Sequence, residues 1–363
     1  DIWSKSAGYP EFLPYRIKHF VCSWQNEMAE KALIEFLEIF LANNPDCWGA
    51  KHINNFIECY STKLMNAGDL FTKIIILFKD LSDEVGLEAS QAKEILQSFS
   101  EFEPLDLSRS ATAWGHLRHT LSVFLIGYLL INEESNLLSE KIINHTTVNN
   151  LEDINRTWFL ASTFHDTSIF LEHISTILSK IDTYISQNHF YDLKYKNNKN
   201  KMVSTPSLSK NVGICPNKII KAIEEILKSN DFEANLVRIK KHAKSKIDHG
   251  IIGAANLYEN CKSNKKISSN LSMEASFAIL IHKCFSKNEL DLDISNNRYI
   301  FAQLLCLVDS FQAWGRESQF QSIYNGTNIE KIVLREINLS KTSKPIFELK
   351  VDYLPFNYLS PSD

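Results

Sequence analysis

Three apolar segments of this chain each run directly into a histidine or an aspartate. They are residues 158–164 before His165 and Asp166, residues 277–281 before His282, and residues 304–308 before Asp309. A titratable side chain at the end of an apolar helix is costly to bury unless it is paired or bound to a metal. Helices of this kind are therefore expected to converge on a shared polar centre, and this requirement constrains the fold more than any other feature of the sequence.

His119 and His249 complete a set of six side chains whose types bind first-row transition metals. Imidazole nitrogen suits Mn, Fe, Zn or Ni, and a carboxylate can bridge two cations. His116 lies three residues before His119 and is an alternative first ligand or a substrate contact. We favour His119 as the ligand because an apolar helical segment follows it directly.

Composition limits the class of protein. The chain has 363 residues, 44% hydrophobic content and a formal net charge of −4, so it can bury a large core and has no overall attraction to nucleic acid or anionic membranes. It has no uncharged apolar run of roughly 18 residues, the length of a membrane-spanning helix. Seven cysteines without a C-x-x-C pair favour reduced thiols and a cytoplasmic location.

Spacings of three and four residues between apolar positions predict helices along most of the chain. The predicted helical segments are 29–41, 71–81, 92–99, 114–134, 157–181, 218–228, 233–244, 250–261, 272–285 and 298–314. Residues 1–110 carry no motif and leave room for partner binding or oligomerisation. Residues 186–216 have the composition of an exposed loop or insertion. In the tail, alternating β-branched residues at 332–339 and 345–354 predict a β-hairpin.

The tandem His165-Asp166 resembles the pair that names the HD-domain superfamily of metal-dependent phosphohydrolases. Four further segments resemble that superfamily in the same order. They are residues 118–125 (the helix of the first histidine), 248–254 (an "HG-I-x-S/G-A" segment), 278–282 (an "AIALH" segment) and 305–316 (the last-aspartate helix, with Gln-x-Trp-Gly-Arg after the aspartate). The resemblance covers about residues 114–317.

The resemblance implies an HD-domain helical bundle at 111–325. With the residue patterns on either side of it, the predicted protein is mostly α-helical, with an N-terminal helical region at 1–110 and a C-terminal β-hairpin at 326–363. The resemblance also implies two divalent transition-metal ions (Mn, Fe, Zn or Ni). The first would be held by His119, His165, Asp166 and Asp309. Asp166 would bridge to the second, held also by His249 and His282.

The activity that the resemblance implies is hydrolysis of a phosphoester by a metal-activated hydroxide. The substrate would be a small phosphorylated molecule, in particular a nucleotide, with nucleic acid as a less favoured variant. Asp166, His116 and Arg316 are the candidate catalytic residues. Arg316 lies two helical turns after Asp309 and can grip a phosphate bidentately, or it can form a salt bridge that closes the helix end. Residues 167–170 depart from the family's Ile-Gly-Tyr-Pro and lose its tyrosine hydroxyl.

Two other functions stay open from the sequence. Some HD-like proteins use the same histidine and aspartate set to hold two irons and activate oxygen, so a di-iron oxygenase is the first alternative. The second is a ligand-sensing or assembly module on an HD scaffold without catalysis. Dependence on oxygen separates the first alternative from a hydrolase, and tight nucleotide binding without turnover identifies the second.

Overall fold

A computed structural model of the chain describes residues 34, 37–62, 67–88, 116–132, 137–169, 194–196, 202–204, 216–230, 232, 236–237, 239–240, 248–262, 264–286, 297–313, 329–339 and 347–355. In this part the protein is mostly helical, as the sequence predicts. The helices are α1 (Ala50–Thr62), α2 (Ala67–Val85), α3 (His116–Asn132), α4 (Leu137–His145), α5 (Leu151–Phe164), α6 (Pro216–Ser229), α7 (His249–Lys262), α8 (Ser269–Ser286) and α9 (Ile300–Ala313). Residues 37–43 are also helical, and a 3-10 turn, Asn297–Tyr299, leads into α9.

Helices α3, α5 and α8 occupy the middle of the bundle. Helix α3 packs against α2, α5 and α9, while α8 packs against α5, α6, α7 and α9. Most side chains of α3 from Leu117 to Ile131 are buried, including those of Phe124 and Tyr128. A helix that is apolar on nearly every side is stable only when other helices surround it, which explains the central place of α3.

The antiparallel pair α3 and α5 is held at the end far from His119 by a buried amide pair. Nδ2 of Asn132 donates to Oδ1 of Asn155 at 2.7 Å, and Nδ2 of Asn155 donates back to Oδ1 of Asn132 at 2.9 Å. In the middle, the indole N–H of Trp158 donates to the carbonyl of Phe124 at 2.9 Å. These contacts set the register of α3 against α5, and hence the position of the first turn of α3 relative to the last turn of α5.

Helix ends follow recognisable local signals. Asn150 caps α5, because its side-chain oxygen accepts the N–H of Asp153 at 2.8 Å. Gly86, with a φ of +96°, ends α2 in a Schellman arrangement in which the N–H of Leu87 donates to the carbonyl of Ser82 at 2.8 Å. Only glycine adopts that φ without strain, so the end of α2 is encoded at one position.

Four strands accompany the helices. Strands β1 (Lys194–Lys196) and β2 (Met202–Ser204) form a short antiparallel pair inside the segment that the sequence predicts to be loop. Strands β3 (Ile329–Leu339) and β4 (Phe347–Pro355) pair antiparallel, with irregular register at Ile329/Lys331 and Leu334/Glu336. The domain divisions at residues 110/111 and 325/326 stay predictions.

The contact between α3 and α5 gives a test of the packing. A methyl group on Gly127 would overlap the ring of Trp158, a fully buried side chain. We expect Gly127→Ala to lower the free energy of unfolding by about 1–3 kcal/mol, the usual cost of overpacking a core. Urea unfolding measures this loss, with Ser122→Ala, a partly exposed site on the same helix, as the near-neutral control. Equal stability of Gly127→Ala and the wild type would contradict the described packing of α3 on α5.

Candidate metal centre

The six predicted metal ligands lie at or near helix ends that meet at one end of the bundle. His119 lies in the first turn of α3 and His249 is the first residue of α7. The other four lie at or beyond the C-terminal parts of their helices: His165 and Asp166 after α5, His282 in α8 and Asp309 in α9. Because α3 and α7 contribute their N-terminal ends and the other helices their C-terminal ends, residues far apart in sequence come together.

The His165-Asp166 pair corrects one prediction. The sequence predicts a continuous helix over 157–181 that carries the pair, but α5 ends at Phe164 and residues 165–168 form a turn. The hydroxyl of Thr167 donates to the carbonyl of Phe164 at 2.9 Å, and the N–H of Ile169 donates to the carbonyl of Asp166 at 3.0 Å, three residues back. Local hydrogen bonds of this kind compete with the regular helical pattern and end it. Residues 170–181 lie outside the described residues.

Four of the six side chains form a tight cluster. One ligand atom from each of His119, His165, Asp166 and Asp309 lies within 4.8 Å of all the others. Nε2 of His119 is 3.0 Å from Oδ1 of Asp309 and 3.3 Å from Oδ2 of Asp166. Nε2 of His165 is 3.4 Å from the same Oδ2 of Asp166 and 3.9 Å from Oδ1 of Asp309. Two imidazoles and two carboxylates therefore face one point.

His249 and His282 lie beside this cluster. Nε2 of His249 is 3.6 Å from Oδ1 of Asp166, the other oxygen of the same carboxylate. The His282 ring centroid lies 6.0 Å from that of His249 and 5.8 Å from that of His165. The Asp166 carboxylate therefore has histidines from three segments of the chain around its two oxygens, and His282 lies next to two of those histidines.

Buried nitrogen atoms at this centre fit a bound cation. Nε2 of His119 and Nε2 of His165 are buried and make no well-aligned hydrogen bond, although both lie close to the carboxylate oxygens of Asp166 and Asp309. Leaving a buried polar atom unsatisfied costs about 1–3 kcal/mol. A metal ion coordinated through these nitrogens and the adjacent carboxylates would remove that cost, so the donor set is consistent with a transition-metal site.

Backbone carbonyls orient two of the imidazole rings. The Nδ1–H of His165 donates to the carbonyl of Ser162 at 2.7 Å, and the Nδ1–H of His282 donates to the carbonyl of Ile279 at 2.5 Å. These bonds assign the proton to Nδ1 in both rings and leave Nε2 as the electron-pair donor. Metal-binding histidines in proteins are commonly fixed in this way by their other nitrogen.

The pKa values of the side chains at the centre are set by two opposing effects, burial away from water and attraction to neighbouring groups of opposite charge. Burial lowers the pKa of His119, but the carboxylates of Asp166 and Asp309 outweigh it and raise that pKa to about 9. Burial would raise the pKa of Asp166, but His165 and His119 hold it well below its usual range. Burial, with His165 and His249 nearby, lowers the pKa of His282 to about 4, so this ring stays neutral near pH 7 and available as a ligand.

Two supporting residues were not identified as such from the sequence. Oδ1 of Asp248 accepts the N–H groups of Gly250 and Ile251 at 3.0 and 3.2 Å, so Asp248 caps the helix that begins with His249. An aspartate directly before a helix-starting segment is the sequence signal that identifies such a cap. Sγ of Cys306 donates to the carbonyl of His282 at 2.8 Å and joins α9 to α8 beside Asp309.

The other candidate catalytic residues are not tested. Arg316 lies outside the described residues. His116 is the first residue of α3, and its side chain is outside the described part of the structure. The structure brings His119, the favoured first ligand, to the cluster.

Comparisons with models of protein families, with curated proteins and with solved structures find no match for this chain. Among the described helices, none combines the length and the apolar character that crossing a bilayer requires.

Loss of one ligand tests the cluster. We expect wild-type protein to retain a transition metal after gel filtration and to melt at a lower temperature once a chelator removes it, since a ligand at about 100 times its Kd adds about 2.7 kcal/mol of stability. His119→Ala should retain less metal than the wild type, and its melting temperature should fall less when the chelator is added. His145→Ala, an exposed histidine at the end of α4, is the control. Metal content in His119→Ala equal to that of the wild type would exclude His119 as a ligand.

Proposed function

We propose that the chain is a metal-dependent phosphohydrolase of the HD-domain type with a dinuclear centre. The observation that carries this proposal is the position of the Asp166 carboxylate among His119, His165 and His249. Its Oδ2 lies near His119 and His165, and its Oδ1 lies near His249. A carboxylate placed in this way can bridge two cations, an arrangement that occurs in enzymes that cleave phosphoesters.

The resemblance implies how the ligands are divided between two cations, and the cluster of His119, His165, Asp166 and Asp309 supports the first of these groups. His119, His165, Asp166 and Asp309 would hold one cation, and Asp166, His249 and His282 the other. Bound divalent cations supply Lewis acidity, which lowers the pKa of water to roughly 7 and stabilises charge on a phosphoryl group. The carbonyls of Ser162 and Ile279 hold the rings of His165 and His282 in place, so little reorganisation is needed when cations bind.

Exposure indicates the side from which substrate reaches the centre. The side chain of Asp309 is 38% exposed and that of His249 is 12% exposed, whereas those of His119, His165 and Asp166 are at most 8% exposed. A phosphate group can therefore approach along the Asp309 edge. Arg316, seven residues further along the chain, is the proposed phosphate contact, and His116 is a proposed substrate contact.

The substrate is proposed to be a small phosphorylated molecule, in particular a nucleotide. This choice comes from the resemblance of residues 114–317 to HD-domain hydrolases. The chain's net charge of −4 agrees with it, because extended nucleic acid is bound mainly through positive charge. Two divalent transition metals are the proposed cofactors, and a cytoplasmic location is proposed from the cysteine pattern.

Asp166→Asn tests the activity. Asparagine keeps the shape of the side chain but removes the negative charge needed to bridge two cations. We expect hydrolysis of a responsive nucleotide to fall by at least about 10²-fold, the scale on which loss of one electrostatic group in an active site acts. The assay uses a panel of nucleotides, cyclic nucleotides and single-stranded nucleic acid, with Asp83→Asn, an exposed aspartate on α2, as the matched control.

Several outcomes would contradict the proposal. An Asp166→Asn protein with wild-type hydrolysis would show that the cluster is not the catalytic centre. Activity that stops when oxygen is removed would identify a di-iron oxygenase instead, because hydrolysis needs no oxygen. Nucleotide binding without turnover in metal-loaded protein would identify a sensing module.

A further inference from the structure

Gly253 lies at a close contact between α7 and the segment that carries His165 and Asp166. It comes one helical turn after His249, so both residues lie on the same face of α7. A Cβ atom placed on Gly253 would be 2.9 Å from the carbonyl oxygen of Phe164 and 3.5 Å from the carbonyl oxygen of His165. Real Cβ atoms essentially never come within 3.0 Å of such an atom, so the lack of a side chain is what permits this approach.

The surroundings of Gly253 leave little room for adjustment. The carbonyl of Phe164 also accepts the hydroxyl of Thr167 at 2.9 Å, in the turn that follows α5. On the other side, the same Cβ would lie 3.5 Å from Cγ2 of Ile279, whose own carbonyl accepts the Nδ1–H of His282. Backbone that is held by hydrogen bonds cannot move aside as cheaply as the end of a flexible side chain.

We propose that Gly253 is a positioning residue for the second cation: by letting α7 approach the turn at His165, it keeps His249 within reach of Oδ1 of Asp166. The inference rests on the proposed dinuclear function. Nε2 of His249 is 3.6 Å from Oδ1 of Asp166, and metal–ligand distances tolerate deviations of only about 0.2 Å. A shift of α7 by a few tenths of an ångström is therefore enough to weaken that cation's binding.

The first cation should be less sensitive to the same change, because two of its four ligands lie on helices other than α7 and away from the contact at Gly253. His119 lies on α3 and Asp309 on α9, whereas His165 and Asp166 lie in the segment that Gly253 contacts. A change at Gly253 should therefore affect the cation held by His249 more than the cation held by His119. A residue that merely stabilises the fold would affect both cations together.

The experiment compares Gly253→Ala with Ala254→Gly, the reverse exchange at the next position. Ala254 is fully buried, and its loss of a methyl weakens the helix without adding a contact. Each protein is purified, saturated with Mn²⁺, passed through gel filtration and analysed for metal per chain. Titration with Mn²⁺ gives the affinity for the first and for the second cation. His249→Ala, which lacks a ligand of the second cation, shows the result expected when that cation is lost.

We expect two Mn²⁺ per chain in the wild type and in Ala254→Gly, although Ala254→Gly should unfold at lower urea concentration. Gly253→Ala should keep the first cation and bind the second about 10–100-fold more weakly, as found when residues that support metal ligands are changed. Two cations with wild-type affinity in Gly253→Ala, or equal weakening of both steps, would overturn the inference while leaving the dinuclear proposal in place. Fewer than two cations in the wild type would overturn the dinuclear proposal as well.

A second variant covers the case in which Gly253→Ala does not fold, as judged by circular dichroism. Asp248→Ala removes the side chain that caps the start of α7 and leaves the turn at His165 and Asp166 unchanged. Because it disturbs the position of α7 alone, we expect it to weaken the second Mn²⁺ more than the first. Wild-type affinity for both cations, or equal weakening of both, would overturn the inference that the position of α7 controls the second cation.

Discussion

The buried carboxylate of Asp166 is the group on which the arrangement of the helices depends. An unpaired carboxylate inside a protein costs several kcal/mol, and that cost is recovered only if positive charge surrounds it. Here histidines from α3, from α7 and from the turn after α5 lie within 3.3–3.6 Å of its two oxygens. The first turn of α3, the start of α7 and the turn after α5 must therefore all lie close to Asp166, and the helices of the bundle pack in an arrangement that brings them there.

Packing elsewhere in the bundle also helps to place the histidines around Asp166. At the far end of α3 and α5, the Asn132–Asn155 amide pair fixes the register of the two helices, and Trp158 against Gly127 fixes how closely they approach. At the near end, Gly253 allows α7 to lie against the carbonyl of Phe164. Two glycines with different neighbours thus control how closely α3 and α7 approach the α5 segment, and each approach brings a histidine toward Asp166.

Much of the centre can be predicted from the sequence because its signal is chemical and local. An apolar segment that ends in His282 or Asp309 indicates a polar centre whatever the fold, and the resemblance to the HD-domain superfamily implies how the six residues are grouped. The end of α5 at Phe164 could not be predicted in this way, since the apolar periodicity continues beyond it and does not reveal the turn at residues 165–168. The contact at Gly253 depends on the distance between two helices, which no local pattern encodes.

Anomalous X-ray diffraction from crystals of the metal-loaded protein, measured at the absorption edge of the bound metal, tests the central claim most directly. The account predicts two peaks, one among His119, His165, Asp166 and Asp309 and a second beside His249 and His282, with Asp166 contacting both. A single peak away from Asp166, or no peak at the meeting point of these helices in protein that hydrolyses its substrate, would contradict it.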